Sequence, residues 1–119
     1  MKYLCLIYSN ESPADGATEA DSKRVMEAYF GYEEEISKAG IKLAGEALYP
    51  TGAAKTVHMN NGSTVTTDGP FAETKAQLGG FYLLYVKDEA EAIKYAAKIP
   101  TASMGGRIEV RPVMTFEQP

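Results

Sequence analysis

Residues 3–8 (YLCLIY) and 81–86 (FYLLYV) are apolar at every position, rich in aromatic and branched side chains, and too short for a buried helix. Runs of this kind suit strands covered on both faces, so both are predicted to lie in the middle of a sheet. From 21 to 39, Val25, Tyr29, Tyr32 and Ile36 recur at helical spacing. Met26 and Phe30 widen that stripe, Glu33, Glu34, Glu35 and Lys38 fall elsewhere, and Gly40 ends the predicted helix. Residues 41–48 read as a second strand closed by the turn Tyr49-Pro50-Thr51-Gly52. The β-branched stretches 55–59 and 63–67 flank Asn60-Asn61-Gly62, whose residues tolerate the positive φ of a tight turn, and predict a hairpin. Residues 68–80 form a polar, glycine-bounded connection with one helical turn expected from Pro70. Asp88 caps a second helix with a narrow side of Ala92, Ile93, Ala96, Ala97 and Ile99, ending before Pro100. In 107–113, Ile108 and Val110 alternate with Arg107, Glu109 and Arg111, the pattern of an edge strand, and the tail 114–119 is expected to be loosely held.

The order strand, helix, strand, hairpin, strand, helix, strand is an α+β, ferredoxin-like split βαβ arrangement with an inserted β-hairpin, in one domain spanning 1–119. Two helices cover one face of such a sheet, yet both central strands carry large apolar side chains on both faces. Four strands of about six residues leave an uncovered face of roughly 400 Å². Two covers are open: a second copy packed sheet to sheet, which is the favoured expectation, or the hairpin of 55–67 folded back as a flap.

The chain has 119 residues, 45% apolar and 24% charged, with net charge -4. These values fit an ordinary globular protein, and no apolar run is long enough to span a bilayer. The opening apolar run stops at Ser9-Asn10-Glu11, too short for a signal peptide, and the lone Cys5 reads as a buried reduced thiol, so a cytoplasmic location is expected. Scattered lysines and arginines make no stripe for a phosphate backbone, so neither nucleic acid nor membrane is an expected partner. One histidine and one cysteine cannot supply a recognisable zinc set, and Gly79-Gly80 and Gly105-Gly106 lack the spacing of phosphate-binding loops, so no metal and no cofactor is expected.

Asp68, at a strand end before Gly69-Pro70, suits either a general base facing a cleft or a turn cap accepting backbone N–H groups. Glu73 and Lys75 follow within seven residues and are candidates to clamp a small polar ligand, beside Phe71 in the same segment. His58, the only histidine, is the one side chain whose ordinary pKa suits proton transfer near neutrality, which makes His58 and Asp68 a candidate catalytic pair. Hairpin geometry sets His58 opposite about Thr64 and roughly 13 Å short of Asp68, so contact requires a curled loop or a second copy. Tyr3, Tyr8, Tyr82 and Tyr85 on the central strands are core residues or walls of an aromatic pocket; Tyr8 and Tyr82 are the substrate-binding candidates among them. Glu11 and Arg111 are placed to border the same cleft.

The segment Thr67-Asp68-Gly69-Pro70-Phe71-Ala72-Glu73-Thr74-Lys75, followed by Gln77-Leu78-Gly79-Gly80-Phe81-Tyr82, resembles the DGPF branch of the YCII-related proteins. Residues 1–8, 96–100 and 108–113 resemble the family's opening strand, second helix and closing strand, so the likeness spans nearly the whole chain. It implies a dimeric α+β barrel, and a cleft in which related proteins use a histidine and an aspartate. The wider family includes small enzymes acting on hydroxylated aromatic rings, and many members resembling this branch are encoded beside extracytoplasmic-function sigma factors. His58 stands where the branch commonly has arginine, and Ala76 where it commonly has glutamate. Three functions follow as expectations: a small-molecule-binding homodimer acting as a cofactor-independent lyase, isomerase or hydrolase; a ligand-sensing partner of a sigma factor; or a dimerisation module without a ligand.

Overall fold

The strands and helices run β1 (Lys2–Ser9), α1 (Glu19–Lys38), β2 (Lys42–Ala47), β3 (Lys55–Asn60), β4 (Ser63–Asp68), β5 (Gln77–Tyr85), α2 (Glu89–Ala96) and β6 (Arg107–Pro112). They lie within residues 1–11 and 18–116, which the computed structural model describes. Antiparallel pairing builds a sheet in the order β2-β5-β1-β6, the ferredoxin-like topology, while β3 and β4 pair only with each other. The two uninterrupted apolar runs occupy the central positions, as their pattern requires. The end of the tail, 117–119, lies outside the described residues.

Alternation sorts each central strand into two faces. Tyr3, Cys5 and Ile7 of β1, and Tyr82 and Leu84 of β5 with Val86 just beyond it, are buried under the helices. There they meet Tyr32 and Ile36 of α1 and Ala92 and Ala96 of α2, whose small alanines let the second helix lie close. Among the described residues no helix lies over the opposite face. In its rows Leu4 sits between Leu83 and Arg111, and Leu6 between Phe81 and Glu109.

Both helices start where side-chain caps replace missing backbone partners. The Thr18 hydroxyl accepts from the Asp21 amide at 3.2 Å and the Asp21 carboxylate accepts from the Thr18 amide at 3.0 Å, a reciprocal capping box. Asp88 accepts from the Glu91 amide at 2.9 Å. At 20 residues α1 spans about 30 Å and outruns the sheet beneath it. Its first half overhangs: Val25, Met26 and Phe30, expected in the buried stripe, are exposed.

One expectation for the middle of the chain is corrected, and the less favoured of two covers for the sheet falls away. No helical turn forms from Pro70. A helix there would need the Gly69 carbonyl as first acceptor, but the Thr56 hydroxyl takes it at 2.8 Å, while the Gly69 amide donates to Ala54 at 2.8 Å. Nor is the hairpin a flap. The chain measures 51 × 48 × 19 Å, and a helix layer on a sheet already fills the short dimension; a third layer would add about 10 Å. The β3–β4 hairpin therefore projects sideways as an arm.

Burial of Cys5 pushes its thiol from the usual 9.0 up to about 11, and burial likewise raises the phenols of Tyr32 and Tyr82. A raised folded-state pKa for an acid favours the native state while the group is protonated, and that advantage disappears as pH climbs past the unfolded value. Denaturant midpoints are expected to fall as pH rises from about 9 through 11, and native Cys5 to react with a thiol reagent only at the rate of unfolding. Fast, denaturant-independent labelling at pH 8 would show that the thiol is not sealed in the core.

Candidate functional site

A cavity of about 390 Å³ opens between α1 and the helix-covered face of the sheet, at the end where β1 finishes and β5 begins. Its size is at the lower end for ligand pockets and fits a metabolite of one ring rather than a nucleotide cofactor. Ile7 and Tyr82 come from the sheet, Tyr29, Phe30 and Glu33 from α1, and Thr101 from the 3₁₀ turn Pro100–Ser103 before β6. The β2 and β5 side is backbone: Gly45, Gly79 and Gly80 line it. A side chain at Gly80 would bring its Cβ to 2.8 Å from the Glu46 carbonyl oxygen, so the glycine keeps β5 close to β2 there.

The polar centre of the cavity is Glu33. Its Oε1 accepts from the Tyr82 hydroxyl at 3.2 Å and from Lys42 Nζ at 3.3 Å, so Oε2 keeps its acceptor capacity. Lys42 Nζ also stands 5.9 Å from the centre of the Tyr82 ring, held by charge and ring together. Burial, and then the charge and hydrogen bond of Glu33, hold the Tyr82 phenol well above its ordinary range. At neutral pH Tyr82 is thus a proton donor and not a base. The Tyr32 ring meets Tyr82 edge-on, 5.1 Å between centroids at 65°, and fixes it from the core side. The Tyr32 hydroxyl itself is buried with no hydrogen-bond partner among the described residues. Across the mouth, Tyr29 and Thr101 share a hydroxyl–hydroxyl hydrogen bond that ties α1 to the turn before β6.

The candidates taken from the sequence separate. Tyr82 lines the cavity. Tyr8 belongs to the opposite, helix-free face, in register with Leu78 and Arg107. Asp68 lies at the base of the arm, exposed and ion-paired with Lys55 across the hairpin, and not bonded to the turn amides. His58 pairs with Val65, one residue from the expected Thr64. Three positions separate His58 from Lys55, so alternation turns its side chain away from that of Asp68, about 10 Å along the strand. Within one chain the two do not meet. Phe71, Glu73 and Lys75 are exposed on the connection after the arm, and Phe71 is 90% exposed. Glu11 is a clamp: its carboxylate accepts from the amide of Thr51 at 2.8 Å and its hydroxyl at 2.7 Å, and its own amide donates to Gln77 Oε1 at 3.0 Å. These bonds fasten the root of the arm to the ends of β1 and β5.

Glu33, Tyr29 and Thr101 escaped the sequence reading. Glu33 sits in a run of three glutamates that resembles a solvated face, yet it follows Tyr29 by four residues and precedes Ile36 by three, which puts it on the flank of the buried stripe. That spacing was the available signal. Thr101 had none, since its place depends on how the 3₁₀ turn docks. Among the described residues no group of three His, Cys, Asp or Glu side chains is placed to hold a metal ion, and no helix is long and apolar enough to cross a membrane.

A ferredoxin-like sheet with both helices on one face and a one-ring cavity beneath the first of them defines a class of small α+β proteins. Within that class the YCII-related domain matches residues 1–117, and the chain belongs to the YCII-related family. It is also similar to an uncharacterised protein, R00369, of Rhizobium meliloti (strain 1021), with 38% identity over 119 residues, covering 98% of this chain and 95% of the relative.

Proposed function

We propose that the protein is a homodimer that binds a small, uncharged, hydroxylated ring compound in the cavity under α1. The observation that carries this reading is the Glu33–Tyr82 pair set in an aromatic wall: the Tyr82 hydroxyl donates its one proton to Glu33 Oε1 and holds the carboxylate so that Oε2 is left as an acceptor for a ligand hydroxyl. Lys42 offsets the charge of Glu33, so the cavity offers no net charge to draw in an ion. A ring hydroxyl donating to Glu33 Oε2 while its face packs on Phe30 and Tyr29 uses what the cavity presents. Glu33, oriented by Tyr82 and Lys42, is also placed to take a proton from such a ring without a cofactor. Binding without turnover would instead support the ligand-sensing role, with a sigma factor as the partner suggested by family resemblance.

The dimer rests on the helix-free face. Leu4, Leu6, Phe81 and Leu83 lie across its centre with no other layer over them among the described residues, in keeping with the 19 Å thickness. Arg107, Glu109 and Arg111 edge this face on β6 and Glu46 on β2, so a second copy can meet it with opposite charges as well as apolar surface.

A thermal-shift screen of neutral phenols and hydroxylated heterocycles, with turnover followed by mass spectrometry, tests the ligand. A ligand present at a hundred times its Kd raises stability by about 2.7 kcal/mol, or about 10 °C in Tm for a chain of this size. Glu33→Gln is expected to weaken that ligand about 10- to 100-fold, the usual loss for a hydrogen bond to a charged group. Ligands indifferent to Glu33→Gln would place binding elsewhere.

A further inference from the structure

The arm is exposed along most of its length and regularly paired within itself. Asn61 and Gly62 take φ of 47° and 82°, the pair of positive values a two-residue hairpin turn of the primed type requires, and six cross-strand pairs follow from Asn60↔Ser63 to Lys55↔Asp68. Its root is held by the Glu11–Thr51 bonds and by the Thr56–Gly69 and Gly69–Ala54 bonds. Yet a lone two-stranded hairpin is marginal in water. Alternation places Val57 and Met59 together on one face of the arm, and within the chain they are 59% and 62% exposed. Tyr49 and Phe71, on either side of the root, are 87% and 90% exposed.

The dimensions point the same way. The chain exposes 8916 Å², whereas a compact monomer of 12.9 kDa exposes roughly 6,300 Å². Its radius of gyration is 16.7 Å, against about 13.5 Å for a compact domain of this length. The helix-free sheet face, at roughly 400 Å² of footprint, reaches only about half of the 800 Å² per partner that a standard interface buries. Sheet contact alone falls short, and Val57 and Met59 on the arm, with Tyr49 and Phe71 at its root, add exposed apolar surface that projects from the same chain.

We propose that the arm is an intersubunit clasp: in a twofold dimer built on the helix-free sheet faces, each β3–β4 hairpin reaches past the edge of the sheet contact and lays Val57 and Met59 against the second copy. This rests on the homodimer reading above and deepens it by naming the element that completes the interface. A twofold axis exchanges the two arms, so one operation covers both sheet faces and both arms and leaves no open-ended contact. The reach is sufficient, since six residues of strand extend about 20 Å from the root.

The test is sedimentation equilibrium of the wild-type chain, of Val57→Lys/Met59→Lys, and of Leu83→Lys on the sheet face, with circular dichroism of each. Both arm side chains are mostly solvated within one chain, so the lysine pair leaves the fold of a protomer intact. The expected result is a wild-type dimer, with the arm variant weakened about 100-fold or more, from two apolar side chains withdrawn from the interface. A wild-type dimer matched in affinity by the arm variant but lost in Leu83→Lys overturns the clasp and keeps the homodimer. A monomeric wild-type chain at micromolar concentration overturns both. Should the lysine pair lose native dichroism, Val57→Thr/Met59→Gln gives the same comparison with gentler side chains.

Discussion

Gly106→Ala is expected to lower the melting temperature by about 12 °C, a loss of about 3 kcal/mol at the upper end of overpacking costs. Gly106 is buried at the entry to β6, where its amide donates to the Thr101 carbonyl at 3.0 Å. A Cβ there would be driven into Cγ2 of Thr101 and would lie 2.6 Å from the carbonyl oxygen of Tyr8. Neither neighbour is the free end of a flexible chain: one is a branched side chain in a 3₁₀ turn, the other is backbone of a central strand. The alanine must therefore push β6 away from β1 or lift the Pro100–Ser103 turn, and the second movement also breaks the Tyr29–Thr101 bond at the cavity mouth. Gly105→Ala is the control. That residue has φ of 89° with open space around it, so alanine meets backbone strain alone and should cost about 1 kcal/mol. Thermal melts of the two variants decide it; a Gly106→Ala protein melting within about 3 °C of wild type would mean the turn yields freely.

The same junction shows why the fold was more legible than the site. Strand order follows from which runs are apolar at every position, because only central strands with large side chains on both faces give that pattern, and residues 3–8 and 81–86 stand out by it alone. The hairpin was equally readable, since Asn61-Gly62 supplies two positive φ values that few other pairs tolerate. The cavity is not built from a motif. Tyr82, Glu33 and Thr101 are 19 and 49 residues or more apart along the chain and meet only because α1 lies over β5 and the turn before β6 closes the mouth. The conspicuous segment 67–75 attracts attention through its dense polar and glycine residues, and the structure shows part of what they do: Asp68 and Gly69 fasten the root of the arm. Within that segment Asp68 pairs with Lys55 and Gly69 with Thr56 and Ala54, while Glu73 and Lys75 stand exposed; the Glu33–Tyr82 pair instead comes from elements far apart in sequence. Val25, Met26 and Phe30 misled for a related reason, as helical periodicity reports which face is apolar but not where the sheet beneath it ends.

Gly45→Ala separates the cavity from the fold that carries it. A Cβ on Gly45 would stand 2.5 and 2.7 Å from Cδ1 and Cε1 of Tyr82 and 3.3 Å from the Phe81 carbonyl oxygen, so the bare backbone of β2 is the cradle in which the Tyr82 ring lies. The ring cannot simply turn aside, because Tyr32 meets it edge-on and the hydroxyl is bound to Glu33. Displacing it costs about 2 kcal/mol and parts the donor from the acceptor. The expected outcome is a folded protein about 8 °C less stable, with affinity for a cavity ligand reduced at least tenfold. Tyr82→Phe removes the hydroxyl and keeps the ring, so it should stay within about 1.5 kcal/mol of wild type while losing the donor. It should also flatten the alkaline loss of stability, because the raised phenol pKa of Tyr82 favours the native state only while the group is protonated. Calorimetry of ligand binding and melts across alkaline pH distinguish the two. If Gly45→Ala binds ligand as wild type does while Tyr82→Phe does not, the hydroxyl matters but its alignment by β2 does not; if neither variant changes binding, the cavity under α1 is not where the ligand sits.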